Sequence, residues 1–379
     1  MAGEREGATP ANIMNTLQCV INSQANGEQV VCKNYQRIQL GLDVHADTVV
    51  VVRQLDNATP QPAQRFSWPQ FWPWLEKQCA LATEVHSCYE AGPMGYGLHR
   101  RLRGRGVHNR VVAPRALDEQ GKRVNNDKTD ALALCQRLDR YLAGNAKALA
   151  VIRVPTEEEE QRRIESRQRE QFKREQKRLA AQGRSLLLSQ GVRAPGPWWK
   201  RDRWMELAVQ LPGWLTKQLQ PLRRLLAAVE QELSASSKAL EAAAPAVRPK
   251  GLGGMSYETI EREIGDWKRF NNRREVGSYT GLVAGVSASG PVSRTLSITK
   301  HGNPRLRAAL IELAWRWLIW QRQAPSVQRW APILLEPSAP RWKRKKAVVA
   351  LARQLAVELW RWRTGRRSAE ELGWVMLSA

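Results

Sequence analysis

The spacing of apolar positions changes along the chain. Between residues 37 and 144, short apolar runs of strand length alternate with longer segments whose apolar positions recur every three to four residues. The first three runs, "RIQLGLDVH", "TVVVVRQL" and "QRFSW", are typical of a meander of antiparallel strands. A helix, a strand, a helix, a strand and a last helix follow. The pattern therefore predicts the element order βββαβαβα.

That order predicts the fold of the first domain. A mixed sheet flanked by helices in this order is the ribonuclease-H-like fold, and we assign it to residues 37–150. Its last helix, in "DKTDALALCQRLDRYLAG", keeps four apolar residues on one face: Ala131, Leu134, Leu138 and Leu142. Residues 1–36 are polar without a sustained period, and we interpret them as an N-terminal extension.

Residues 151–245 have the pattern of a helical arm. The segment "TEEEEQRRIESRQREQFKREQKRLAAQGR" consists almost entirely of charged residues and Gln, which indicates an exposed helix or one that lies against nucleic acid. Further on, apolar residues step by four and three positions, as in the seam of a coiled coil: Leu215, Leu219, Leu222, Leu226, Val229 and Leu233. We expect this seam to pair with a second chain.

The remaining residues, 246–379, return to a globular pattern. A linker-like "PAVRPKGLGGM" precedes glycine-rich loops and then helices, such as those over 303–322 and 343–363, so this domain should be mainly helical. Tryptophans are abundant in both C-terminal regions. We expect Trp315, Trp317 and Trp320 to pack in a core or between subunits, and we expect the group that is surrounded by cations to stack on bases: Trp198, Trp199 and Trp204.

The charge of the chain identifies its partner class. The 60 Lys and Arg residues outnumber the 36 Asp and Glu residues, giving a net charge of +24, as expected for a protein that binds nucleic acid. No apolar run is long enough to span a membrane, and the N-terminus lacks the pattern of a signal peptide. We therefore expect a cytoplasmic, nucleoid-associated protein. The five scattered cysteines include no C-x-x-C pair and suggest neither a disulfide framework nor a zinc site.

Four acidic residues lie where a ribonuclease-H-like fold brings acidic side chains together. Asp43 is in the first strand, Glu90 ends the fourth, and Asp127 and Asp130 begin the last helix, three residues apart on one face. Carboxylate oxygens suit Mg²⁺, and two such ions can flank the attacking and leaving oxygens of phosphoryl transfer. The dipole of the helix also favours two acids in its first turn, so Asp127 and Asp130 alone would be ambiguous.

A glycine- and serine-rich stretch, residues 278–315, allows two interpretations. It can be a loop that leads into a helix capped by Asn303 and started by Pro304. It can also be a nucleophile loop, because a serine attacks phosphate when cations stabilise the developing charge. Both the serines and the cations are present: Ser287, Ser289, Ser293 and Ser297, with Arg294, Lys300, His301, Arg305 and Arg307.

The order of these motifs resembles a known family. "GLDVHA", "YEAGPMGYGL", "NDKTDALAL" and the series from "YTGLVAG" through "SASG" to "ITKHGNPRLRAAL" resemble the one-ten family of bacterial insertion-sequence transposases. These are bridge-RNA-guided recombinases that are related to Piv-type DNA invertases. The likeness extends over about residues 37–320.

The resemblance implies a site and a set of partners. Asp43, Glu90, Asp127 and Asp130 would be the Mg²⁺-binding DEDD set of a RuvC-like domain, and Ser289, with Ser287 as the alternative, would form a covalent phosphoserine link to DNA. It further implies double-stranded target and donor DNA, a non-coding guide RNA and a homo-oligomer, a dimer or tetramer, in which the RuvC-like domain of one subunit faces the serine domain of another. Arg294, Lys300, Arg305 and Arg307 are the candidate nucleic-acid contacts.

Other functions remain compatible with the sequence. The four acids could act on water in a metal-dependent nuclease of the junction-resolvase type, or the chain could be a DNA invertase without a guide RNA. A non-enzymatic protein that packages nucleic acid is a further alternative. A nucleophilic serine distinguishes a recombinase from a nuclease, and an intact acidic set argues against a packaging protein.

Overall fold

The structure of the protein is a computed structural model that describes residues 33–114, 126–289 and 292–377, without the side chains of residues 288, 289 and 292. The chain divides after Val154 into two compact units. The first 32 residues of the predicted N-terminal extension lie outside the described residues.

The first unit has the predicted element order. Its elements are β1 (Tyr35–Val44), β2 (Thr48–Leu55), β3 (Gln64–Ser67), α1 (Trp68–Leu81), β4 (Ala82–Glu90), α2 (Gly97–Arg103), β5 (His108–Val112) and α3 (Asp127–Leu142). The five strands form one mixed sheet in the order β3-β2-β1-β4-β5. The first three strands pair antiparallel, whereas β4 lies parallel to both β1 and β5. The predicted mixed α/β class is confirmed for this unit.

Both faces of this sheet are covered. On one face, apolar side chains of the strands pack with α1 and α2, and Ile38, Leu40 and Leu42 of β1 belong to this core. On the other face lies α3, which contributes apolar side chains at the helical spacing that the sequence predicted: Ala131, Leu134 and Leu138. Alternate residues of β1 therefore belong to two separate layers, as the two-residue repeat of a strand requires.

The second unit, from Pro155 onward, is mainly helical. Its elements are α4 (Glu157–Ser189), α5 (Arg201–Ala208), α6 (Gly213–Ala243), α7 (Gly254–Ile264), α8 (Arg273–Thr280), β6 (Ala284–Ser289), β7 (Val292–Ile298), α9 (Pro304–Trp320), α10 (Pro325–Leu334) and α11 (Arg341–Arg363). A core built largely from α7, α9 and α11 includes Leu310, Trp317 and Leu355. Among the described residues of the chain, no helix is both long and apolar enough to cross a bilayer.

The apolar seam of α6 is covered within the chain. Leu215, Leu219 and Leu226 are at most 1% exposed and pack with Leu179 and Leu187 of α4. The expectation that this seam is free to pair with a second chain is therefore wrong. The charged appearance of α4 concealed its apolar stripe, which is confined to the last third of that helix.

The structure contradicts the base-stacking prediction for two of the three tryptophans concerned. Trp198 and Trp204 are buried in the α4–α6 core, where Trp198 Nε1 donates to the carbonyl oxygen of Ala180 at 3.0 Å, so neither is available for base stacking. On α9, Trp317 is fully buried, as expected for a core residue. Trp315 and Trp320 are 41% and 47% exposed, so for these two the prediction of packing between subunits stays a prediction. The three residues are spaced so that only one of them faces the core.

The serine-rich stretch forms a hairpin instead of an irregular loop. Strands β6 and β7 pair antiparallel, with Ser287 opposite Arg294. Its described side chains from Val286 to Ser297 are exposed, and Val286 and Leu296 are among them. Small residues obscured the alternating pattern, although Gly290 and Pro291 between the two runs are a turn signal in the sequence.

Candidate functional site

Three of the four predicted acids meet where β1 ends and α3 begins. Helix α3 crosses β1 in the opposite direction: Gln39 Nε2 donates to Asp139 Oδ1 at 2.9 Å, and Gly41 lies against Ala131 and Cys135. Asp43, two residues beyond Gly41 on the same side of the strand, therefore faces the first turn of α3. Asn126 caps this helix by accepting a hydrogen bond from the backbone N–H of Lys128 at 3.2 Å.

His45 and Arg65 complete this cluster. His45 Nε2 lies 3.1 Å from Asp43 Oδ2 and 3.4 Å from Asp127 Oδ2, and the possible ligand atoms of these three residues all lie within 4.8 Å of one another. Arg65, which β3 supplies, donates to Asp127 Oδ2. Two carboxylates and an imidazole thus converge, with a guanidinium at the edge.

The electrostatics show that the acids affect one another. Burial raises the pKa of Asp43, and the nearby charges of Asp127 and Asp130 raise it further, against the lowering effect of His45. Burial and the charge of Asp127 likewise raise the pKa of Asp130. The hydrogen bond from Arg65 holds the pKa of Asp127 below its usual value. Like charges held this close would be stabilised by a cation.

Glu90 lies at the same edge of the sheet. It is the last residue of β4, and the pairing of Leu42 with Tyr89 places it next to Asp43 in the parallel ladder. Strand alternation puts it on the side of Cys88, whose Sγ is 3.4 Å from the carbonyl oxygen of Leu134 in α3. The topology therefore brings the fourth predicted acid to the corner that holds the other three.

The donor set fits a hard divalent cation. Carboxylate oxygens from Asp43 and Asp127, with Asp130 and Glu90 beside them, are the ligands that Mg²⁺ and Mn²⁺ prefer. The raised pKa values of Asp43 and Asp130 arise in part from repulsion between carboxylates, which a bound cation would relieve. The four predicted residues could thus hold a metal ion, and His45 could contribute an imidazole nitrogen.

Sequence reasoning missed three members of this site. Gly41 permits the close approach of α3, because a Cβ there would lie 2.1 Å from the carbonyl oxygen of Ala131. His45 follows Asp43 by two residues, a spacing that indicates the same side of an extended chain, and this signal was available in "GLDVHA". Arg65 had no comparable signal, since only the pairing of β2 with β3 brings it to Asp127.

The predicted serine lies in the second unit. The backbone of Ser289 ends β6, but its side chain lies outside the described residues. Ser287, the alternative, is exposed, and Arg294 stands opposite it in the ladder. Ser287 and Ser289 thus lie two residues apart on β6.

A tight crossing of the chain fixes the base of this hairpin. A Cβ on Gly302 would lie 2.2 Å from the carbonyl oxygen of Tyr279, so only glycine allows the two segments to pass. The backbone N–H of Lys300 donates to the carbonyl oxygen of Gly281 at 3.2 Å, and Lys300 holds a left-handed φ of 57°. Asn303 caps α9 as predicted, accepting from the N–H groups of Arg305 and Leu306 at 3.0 and 3.2 Å.

The predicted cations near the hairpin fall into two groups. Arg294 and Lys300 are exposed. Arg307 donates to the carbonyl oxygens of Thr280 and Lys300 at 3.3 and 3.4 Å, and Arg305 pairs with Glu170 at 2.5 Å. The latter two therefore support the hairpin base and the contact with α4, which sequence order alone did not indicate.

A buried glutamate connects this region to α4. Arg167 donates to both carboxylate oxygens of Glu263, at 3.0 and 2.9 Å, and Asn303 Nδ2 donates to the same group at 2.6 Å. Burial alone would raise the pKa of Glu263, but these hydrogen bonds and the charges of Arg167 and Arg305 together lower it. Glu263 thus fixes the start of α9, directly after the hairpin.

The chain is similar in sequence to known transposases. Residues 248–329, which include the hairpin, match the model of the transposase IS116/IS110/IS902 family. The chain is 34% identical over 301 residues to y4rJ of Sinorhizobium fredii, a protein that is named as a transposase. The aligned residues cover 72% of this chain and 75% of that protein. It is 23% identical to the transposase for insertion sequence element IS1328 of Yersinia enterocolitica over 284 residues, 73% of this chain and 82% of the relative. The transposase for insertion sequence element IS1111A of Coxiella burnetii is 24% identical to this chain over 278 residues, which are 69% of this chain and 73% of the relative.

Proposed function

Because the chain belongs to the IS116/IS110/IS902 family of transposases, we propose that it is a DNA transposase that cuts and rejoins DNA strands through a covalent phosphoserine intermediate. The observation that carries this proposal is the convergence of Asp43, Asp127 and Asp130 in the mixed α/β first unit, for which we propose a RuvC-like fold. A second unit with a serine-bearing hairpin in the matched family region supplies the nucleophile.

The acidic corner would bind the cofactor. Asp43, Glu90, Asp127 and Asp130 are the proposed Mg²⁺ ligands, and a bound Mg²⁺ would polarise the scissile phosphate. The chain's own residues keep this site organised: Gly41 sets the distance between β1 and α3, and Arg65 and His45 hold Asp127 and Asp43 by hydrogen bonds.

The serine would exchange one phosphoester bond for another. Ser289 Oγ loses its proton and attacks the phosphorus, so that an Oγ–P bond forms while the bond between phosphorus and the leaving sugar oxygen breaks. The leaving oxygen takes up a proton. Because the number of phosphoester bonds is unchanged, a second DNA end can reverse the step without an external energy source.

The exposed cations would stabilise the charge on the phosphate. Arg294 pairs in the ladder with Ser287, which precedes Ser289 by two residues. Lys300 lies at the base of the same hairpin. Arg305 and Arg307, which bond to Glu170 and to the carbonyl oxygens of Thr280 and Lys300, would contribute by holding the hairpin base and by adding positive charge there. Donors at such positions lower the energy of developing negative charge in phosphoryl transfer.

RNA guidance and assembly are further parts of the proposal. The family resemblance and the net charge of +24 support a guide RNA together with double-stranded target and donor DNA. A homo-oligomer would let the acidic site of one subunit act with the hairpin of another. The seam of α6 gives no support to that assembly, since it is buried within the chain, so light scattering of the protein–RNA complex must establish the subunit number.

The decisive experiment is to trap the intermediate. The protein is incubated with Mg²⁺, RNA transcribed from the DNA flanking its gene, and end-labelled donor and target DNA, and is then denatured. Wild-type protein should retain label covalently, and Ser289→Ala should lose it. Ser293→Ala and Ser297→Ala, on the partner strand, are matched controls and should keep the adduct.

Each alternative predicts a different result. A hydrolytic nuclease would release cut DNA without protein-bound label. Loss of the adduct in Ser287→Ala, but not in Ser289→Ala, would identify Ser287 as the nucleophile. Equal adduct formation with and without RNA would indicate an invertase that needs no guide, and no cleavage under any condition would favour a packaging protein.

A further inference from the structure

The first two turns of α11 carry an unusual concentration of positive charge. Five of the six residues that open this helix are cations: Arg341, Lys343, Arg344, Lys345 and Lys346. The first turn contains no acidic residue, and none of these five forms an ion pair with a carboxylate among the described residues. The segment lies beyond residues 248–329, the region that matches the family model.

This arrangement opposes the helix dipole. The N-terminal end of a helix carries partial positive charge, so cations there are unfavourable and acids are the usual choice. Pro340 precedes the helix and offers no side-chain cap. A cluster that destabilises its own helix end would be stabilised by an external anion.

A tryptophan in the same cluster narrows the class of anion. Trp342 is 56% exposed, and Lys346 Nζ lies 4.9 Å and Lys343 Nζ 5.6 Å from its ring centroid. Lys345 and Lys346 follow Trp342 by three and four residues, so the ring and both ammonium groups share one face of the helix. An exposed aromatic ring beside several cations matches an unpaired base beside its phosphates.

We propose that residues 341–346 form a binding site for single-stranded nucleic acid, in which a base stacks on Trp342 and the lysines bind the flanking phosphates. The site does not depend on the proposed strand-transfer chemistry. A stacked base must be unpaired, so the site prefers single strands to duplexes. Both an RNA segment and a displaced DNA strand have this chemistry.

The test compares variants of the full chain by fluorescence anisotropy with a labelled 12-nucleotide single strand, as DNA and as RNA, and with the DNA duplex. Trp342→Ala should weaken single-strand binding about 5-fold or more and leave duplex binding within about 2-fold. Trp342→Phe, which keeps a ring, should recover part of the affinity. Lys345→Gln/Lys346→Gln should reduce the slope of log affinity against log salt by about 1.4, whereas Trp342→Ala should leave the slope unchanged.

The chain supplies matched controls. Trp214 is also 56% exposed, but it lies on α6 outside any such cluster, so Trp214→Ala should bind as wild type. Lys217→Gln/Arg224→Gln removes two exposed cations from that same helix and should have less effect on the salt slope. The nucleic acid held more tightly, RNA or DNA, identifies the natural source.

A second measurement locates the contact directly. An oligonucleotide with a photoreactive 4-thiouridine or 5-bromouridine should crosslink within residues 341–346, as mapped by mass spectrometry. The proposal is overturned if crosslinks fall elsewhere, if Trp342→Ala binds single strands as tightly as Trp214→Ala, or if it weakens single strands and duplexes equally.

Discussion

Gly41 of β1 lies so close to α3 that a Cβ on it would stand 2.1 Å from the carbonyl oxygen of Ala131. The same missing side chain brings the first turn of α3, with Asp127 and Asp130, to Asp43. The packing of a strand on a helix and the assembly of the acidic corner therefore depend on one position.

Replacing Gly41 should disturb both stability and the acidic corner. Gly41→Ala forces α3 away from β1 and should lower the free energy of unfolding by at least about 2 kcal/mol. Calorimetry should show this as a lower Tm. A Cβ on Gly97 would meet no atom within 4 Å, so Gly97→Ala should change stability by less than about 1 kcal/mol. Equal losses of stability in the two variants would mean that α3 can move away from β1 at little cost.

Removing a carboxylate from the corner should separate catalysis from binding. Asp43→Asn and Asp130→Asn should lose strand cleavage, because the metal ligands are incomplete, and should keep nucleic-acid affinity, which depends on Lys and Arg. Cleavage assays and gel shifts on the same preparations would measure both. Asp202→Asn, in the second unit, serves as the control and should cleave normally. Full cleavage activity of Asp43→Asn would show that Asp43 is not an essential metal ligand and would contradict the proposed metal site.

The buried Arg167–Glu263 pair should matter far more than an exposed pair on the same helix. Glu263 is 1% exposed, and Arg167→Met would leave its carboxylate with Asn303 as its remaining side-chain donor among the described residues. This loss should cost about 3 kcal/mol. Arg174→Met breaks an exposed pair with Glu170 and should cost less than about 0.5 kcal/mol. Urea unfolding of both variants tests this difference. Similar values would show that solvent reaches Glu263.

A buried carboxyl near the C-terminus should make stability depend on pH. Burial raises the pKa of Glu358 above 4.5, against the lowering effects of hydrogen bonds from Ser326 and Gln354 and of nearby arginine charges. A carboxyl whose pKa is raised by folding stabilises the fold while it is protonated. This contribution is complete below pH 4.5, the ordinary value, and is lost as the pH rises through the folded pKa.

Glu358→Gln tests that expectation, because it has no proton to lose and can still bond Ser326 and Gln354. Its stability relative to wild type should rise between pH 4 and pH 7, as measured by urea unfolding at successive pH values. Glu370→Gln, at an exposed position, should show no such trend. A constant difference between Glu358→Gln and wild type across this range would mean that Glu358 titrates normally.

Short-range sequence patterns are sufficient to predict the local elements of this chain. The order βββαβαβα, the helix that starts at Asp127 and the cap at Asn303 all follow from short-range patterns, because periodicity and capping involve residues within a few positions of one another. The motif order also identified the family. The same short-range patterns placed the predicted acids at strand ends and at a helix start, and this fold brings those ends to one edge of the sheet.

Which surfaces those elements cover depends on packing between distant segments, which the structure reveals. An apolar seam on α6 is equally compatible with a partner chain and with α4, and the choice depends on contacts between residues far apart in the sequence. The same holds for Trp198, which is buried against Gly183, and for Arg65, which reaches Asp127 through the pairing of β3 with β2. Sequence patterns record how apolar a position is, whereas burial depends on which distant segment packs against it.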